Sequence, residues 1–93
     1  MTKILLIINA EEGIIHFECL DHSEDHDTCT IVSTLCNVLF AECERIGVEP
    51  KLNGPSVKIN INDPGSETIE VFQVVQKVLQ ECYKQNKRYM KLY

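Results

Sequence analysis

Between Leu20 and Cys29 the apolar period of this chain changes from two residues to about 3.6. A second change of the same kind lies between Asn62 and Val71, so few folds other than a sheet carrying two helices can accommodate the sequence. Lys3 to Asn9 is a nearly continuous apolar run, predicted as a strand covered on both faces or central in its sheet. Glu11-Glu12-Gly13 predicts a hairpin turn, and Ile14 to Leu20 the return strand. Ile15, Phe17 and Cys19 then share one face, with His16 and Glu18 on the other. Asp21 to Thr28 has no apolar periodicity and reads as a loop.

From Cys29 to Ile46, Val32, Leu35, Cys36, Leu39, Cys43 and Ile46 recur at steps of three and four, predicting a helix with one buried stripe. Asp27 or Thr28 is placed to cap its start, and Gly47 to end it. Pro50-Lys51-Leu52 and Ser56 to Asn62 read as strands turned by Asn53-Gly54. A turn at Asp63-Pro64-Gly65-Ser66 leads to a second helix over Glu67 to Asn86, with Val71, Phe72, Val75, Val78, Leu79 and Cys82 inward. Tyr89 to Tyr93 is a short closing strand. The order β-β-α-β-β-α(-β) implies an α/β (α+β) two-layer sandwich, with a mixed or antiparallel sheet and two helices, in one domain over residues 1–93.

Composition narrows the function. A formal charge of −5 argues against direct nucleic acid binding, which depends on Lys and Arg neutralising phosphates. Lys84 to Lys91 holds the main basic cluster and reads as a solvated helix end. An acidic chain suits a basic peptide. No stretch approaches the ~20 apolar residues of a membrane span, and Ile4 to Ile8 is too short for a signal-peptide core. Five cysteines without a disulfide-like spacing point to reduced thiols in the cytoplasm. With aromatic residues at 6%, the core must be built from aliphatic side chains, and so small a core makes dimerisation a natural source of further burial.

The chemistry-bearing segment is Leu20-Asp21-His22-Ser23-Glu24-Asp25-His26-Asp27-Thr28-Cys29. It places a cysteine at the predicted first turn of a helix, where the positive helix end and unpaired amides stabilise a thiolate. An imidazole can take or return its proton, and the same amides can meet an oxyanion. His22 and His26 are both within loop reach, and spacing alone does not choose between them. Glu24, Asp25 and Asp27 are near enough to orient an imidazole. The same residues also fit a structural cysteine beside polar loop histidines.

With these residues in view, the segment resembles the ribosomal-processing cysteine proteases. That family carries Gly-His at the end of a hairpin, a loop, and then Asp-x-x-Cys-Ala-x-Val-Ser opening the first long helix. Here Asp21-His22 precedes a six-residue loop and Cys29-Thr30-Ile31-Val32-Ser33. The resemblance implies that Cys29 is the nucleophile and His22 its base, with Ser33 and Asp27 in supporting roles and no cofactor or metal. It further implies a homodimer that removes the N-terminal extension of the bL27 ribosomal protein precursor. Three positions depart from the pattern. Asp21 replaces the glycine suited to positive φ, His26 stands in place of an aspartate, and Thr30 adds two heavy atoms where the family has alanine.

Two other readings use the same residues. A catalytically silent, ribosome-associated protein of this fold would keep the topology and lose the chemistry. Zinc could draw on His16, Cys19, His22, His26 and Cys29, five candidate ligands within fourteen residues. Against zinc, a regular strand sends His16 and Cys19 to opposite faces, and there is no Cys-x-x-Cys pair. Cys36, Cys43, Cys19 and Cys82 read as small buried core residues.

Overall fold

The computed structural model describes residues 1–21 and 23–93. Its elements are β1 (Thr2–Asn9), β2 (Ile14–Leu20), α1 (His26–Ile46), β3 (Lys51–Asn53), β4 (Ser56–Asn62), α2 (Ser66–Gln85) and β5 (Met90–Leu92). The five strands form one mixed sheet in the order β3-β4-β2-β1-β5, antiparallel except for β1 beside β5. This is the expected two-layer sandwich, and the closing strand adds its parallel edge.

One face of the sheet carries the core. Ile4 and Leu6 of β1, Ile15, Phe17 and Cys19 of β2, Ile59 and Ile61 of β4 and Met90 of β5 are all buried. They pack against Val32, Cys36, Leu39 and Cys43 of α1 and Phe72, Val75, Leu79 and Cys82 of α2. Pairing Leu6 with Phe17, and Phe17 with Ile59, keeps the inward side chains of three strands in one row.

Of the two alternatives expected for β1, it lies inside the sheet between β2 and β5 but is not covered on both faces. Its burial alternates, and Ile7 is 46% exposed on the open side. Both helices are used on the other face, so the apolar run reflects β-propensity at the outward positions rather than burial. In α2 the inward stripe runs through Thr68, Phe72, Val75, Leu79 and Cys82, and Val78 turns out to solvent.

The turns follow from backbone chemistry. β1 and β2 are joined through Gly13 at φ 67, whose carbonyl accepts the Asp63 amide at 2.7 Å. The β3–β4 hairpin turns on Gly54-Pro55 rather than on Asn53-Gly54, because Asn53 still pairs with Ser56. A positive φ of 58 at Gly54 followed by proline is the pattern of a type II′ turn, whose twist suits a hairpin. α1 ends on Gly47 at φ 77, with the Val48 amide donating to the Cys43 carbonyl and the Gly47 amide to Glu44, a Schellman motif.

One buried charge sits between the helices. Glu42 lies on the inner side of α1, and its carboxylate accepts from Arg45 Nε at 2.8 Å, Arg45 Nη2 at 2.5 Å and the Thr68 hydroxyl at 2.8 Å. The Arg45 hydrogen bonds hold its pKa below the usual carboxylate value, against the effect of burial. A depressed folded-state pKa gives stability that is present above the unfolded pKa and lost as pH falls through the folded one. We expect Glu42→Gln to lower stability at pH 7 on the order of 1 kcal/mol, at the low end because Arg45 is half exposed. Urea unfolding checks this, and the gap between variant and wild type should narrow as pH falls through the depressed pKa of Glu42, where its carboxyl takes up a proton.

Candidate active site

α1 begins three residues earlier than the apolar pattern suggests. Its N-cap is Asp25, whose carboxylate accepts the Thr28 amide at 2.9 Å and the Thr28 hydroxyl at 2.8 Å. The cap assigned to Asp27 or Thr28 is therefore corrected: both lie inside the first turn, which is polar and leaves no hydrophobic signature. The hydrogen bonds from Thr28 hold the Asp25 carboxyl below its ordinary pKa.

This cap decides what surrounds Cys29. The Cys29 amide donates to the Asp25 carbonyl at 2.9 Å, closing the first helical turn. The Thr28 amide is taken by the cap, so the helix start leaves the His26 and Asp27 amides without an intrahelical acceptor. Helical side chains lean toward the N-terminus, so the Cys29 side chain points back toward the start of α1. Cys29 itself is half-buried.

Thr28 is fully buried and ties this turn to the other helix. Its hydroxyl lies 3.1 Å from Asn86 Oδ1, and Asn86 Nδ2 donates to the Cys82 carbonyl at 2.8 Å. The start of α1 is thereby fixed to the end of α2.

Cys29 opens onto a recess of about 270 Å³ between α1 and the β3–β4 hairpin. Ser33 lies on its wall one turn beyond Cys29, and Asp21 and Ser23 stand at its mouth. Its apolar lining comes from Val32, Phe40, Leu52, Pro55 and Val57. Such a shape takes an apolar side chain beside a reactive thiol.

The other predicted residues are placed as follows. His22, predicted as the base, lies outside the described residues. Asp27 is exposed on the first turn and does not line the recess. His26 is also exposed. Thr30 does not crowd the recess: it is exposed, and its hydroxyl donates back to the His26 carbonyl at 2.9 Å. Asp21 takes the left-handed backbone at φ 64, so the conformation expected to need glycine is adopted by an aspartate. Asp is among the few residues that tolerate it.

Cys36 lines the recess and escaped the sequence reading as a site residue, and Cys19, weighed there only as a zinc ligand, lines it too. Cys19 and Cys36 are close enough for each thiol to shift the ionisation of the other, and the Thr2 hydroxyl lies 3.6 Å from Cys19 Sγ. The Cys19 thiol and then burial push the Cys36 thiol up, so Cys36 keeps its proton. Their signal in the sequence was position: strand residue 19 and helix residue 36 both lie on inward stripes that must meet. His16 points to the opposite sheet face from Cys19, its ring 2.5 Å from Asn60 Oδ1 and 3.1 Å from Glu18. Among the described residues, no group of three His, Cys, Asp or Glu is arranged to hold a metal ion, and no helix is long and apolar enough to cross a membrane.

Two helices on one face of a β3-β4-β2-β1-β5 sheet, with a recess at the first turn of the first helix, define the class as an α+β two-layer sandwich. Among solved structures, this fold is shared with an essential ribosomal processing protease, Prp, from S. aureus, solved with a covalently linked product peptide. The TM-score is 0.77 at 18% identity, over 99% of this chain and 97% of that one. SMU.848 from Streptococcus mutans is also similar, with a TM-score of 0.71 at 15% identity over 99% of this chain and 91% of that one. No family model matches the chain, and no curated protein matches it in sequence. At these identities the likeness is one of fold.

Two outcomes test the site's construction. Thr28→Val should lower stability by about 1–2 kcal/mol in urea unfolding, because it removes the buried hydroxyl between Asp25 Oδ2 and Asn86 Oδ1, whereas Thr28→Ser should not. With iodoacetamide at neutral pH, Cys29 should label well ahead of Cys36 and Cys43, which are 7% and 0% exposed. Mass spectrometry of the labelled peptides gives the order.

Proposed function

We propose that this chain is a cysteine endopeptidase of the ribosomal-processing type, with Cys29 as nucleophile and His22 as general base. The observation that carries the reading is the position of Cys29. It stands half-buried on the first turn of α1, at the mouth of an apolar recess, in a fold shared with a protease solved with a covalently linked product peptide.

The chemistry follows from that placement. His22 takes the Cys29 proton, and the thiolate attacks the peptide carbonyl carbon to form a tetrahedral oxyanion facing the His26 and Asp27 amides. Collapse breaks the C–N bond, and the imidazolium gives its proton to the leaving amine. Water then hydrolyses the thioester and returns the thiol. Ser33 supports the site by hydrogen bonding from the next turn. Asp27 acts through its charge at the positive helix end.

We assign the bL27 precursor as substrate, with removal of its N-terminal extension, in the cytoplasm and by a homodimer of this one domain. The acidic charge of the chain fits a lysine-rich substrate. Mixing the protein with the bL27 precursor of the same genome tests this. Wild type should shorten the precursor, seen by intact-mass measurement, while Cys29→Ala and His22→Ala should each lower the rate at least 10²-fold. Cleavage surviving in Cys29→Ala would remove the assigned nucleophile.

A further inference from the structure

The recess at Cys29 does not end at its own floor. Phe40 and Leu52 form its far wall and also one wall of a second recess of about 480 Å³, whose remaining lining is Glu44, Gly47, Val48, Glu49 and Pro50. The two make a continuous groove between one edge of α1 and the β3–β4 hairpin. Along the helix that edge runs Cys29, Ser33, Asn37, Phe40 and Glu44 at steps of three and four, so all five lie on one side. Leu52 stands at the junction with 67% of its surface exposed, the most of any large hydrophobic among the described residues.

The far end of the groove has a definite charge. Glu44 and Glu49 are exposed, and no described cation of the chain pairs with either. The neighbouring Arg45 is committed to Glu42 and Glu67. From Cys29 to Glu44 the helix rises about 22 Å, which an extended peptide spans in about six or seven residues.

We propose that this groove holds the same peptide that is cut at Cys29, in extended form, with Glu44 and Glu49 recognising a Lys or Arg side chain about six or seven residues from the cleaved bond. The inference rests on the protease reading above and adds to it a distant charge-specificity determinant. The apolar walls at Phe40 and Leu52 cover the intervening side chains, and the two carboxylates set the register of the chain relative to the thiol. Glu44 and Glu49 touch none of the reacting atoms. They act on binding, so their effect falls on KM rather than on kcat.

The test uses the full chain and fluorogenic peptides of about twenty residues spanning the bL27 extension junction. Every basic residue is replaced by Gln, except one Arg moved through positions four to nine on each side of the cut. The expected result is a rise in kcat/KM of roughly fivefold to tenfold, through KM, at about six or seven residues on one side only. The gain should vanish in Glu44→Gln/Glu49→Gln. It should reverse in Glu44→Lys/Glu49→Lys, which should prefer Glu at that peptide position. Both side chains are exposed, so the variants should unfold as wild type does. A flat Arg profile with an active wild type would overturn the groove assignment and leave the protease reading standing. No cleavage of any peptide by wild type, the native sequence included, would overturn both.

Discussion

The buried Thr28 hydroxyl joins the start of α1 to the end of α2, and the geometry at Cys29 depends on it. On one side it satisfies the Asp25 cap that starts α1; on the other it reaches Asn86, the residue that ends α2. A helix start is ordinarily free to fray, because its first amides have no intrahelical partner. Here the first turn is held from within by the cap and from across the interface by the second helix. The residue that follows, Cys29, therefore inherits a fixed direction at the helix start, where the His26 and Asp27 amides have no intrahelical acceptor. A reactive thiol on an unrestrained turn would lose the alignment that makes such amides useful to a developing oxyanion.

The same one-sided architecture explains the groove. With both helices on a single face of a five-stranded sheet, α1 must cover β2 and β4 and still leave room for the hairpin that continues from β4. Gly54-Pro55 turns that hairpin tightly, and β3 is three residues long. Leu52 is thus held beside the helix edge without being packed beneath it. The opposite sheet face is polar where β2 meets β4, with Glu18 beside both His16 and Lys58.

What could be read from the sequence was whatever depended on period. The Ile15-Phe17-Cys19 face, the Val32-Cys36-Leu39-Cys43 stripe and the first hairpin are found where period and turn chemistry put them, and the second hairpin turns one residue later. Features that depend on one polar residue winning a competition were not readable. Asp25, Asp27 and Thr28 are all good caps, and only the packing of Thr28 against Asn86 decides among them. Asn53-Gly54 is a strong turn signal, yet Pro55 shifts the turn by one residue because its φ suits the second corner. Glu42 occupies an inward position three residues after Leu39. That placement hinted at burial, but its partner Thr68 is on another element and out of view. The groove could not be anticipated at all, since it arises from where the hairpin lies against the helix.

A chain can share less than a fifth of its residues with a protein and keep its shape, because the shape answers to burial pattern and turn chemistry rather than to identity. Chemistry answers to fewer positions and tolerates less. At Asp21 the backbone keeps the left-handed conformation for which glycine is better suited, at a steric cost that glycine would not carry. Thr30 turns its extra atoms outward onto the His26 carbonyl and away from the recess. Two positions where this sequence departs from the protease pattern are thus accommodated without disturbing the turn that presents Cys29.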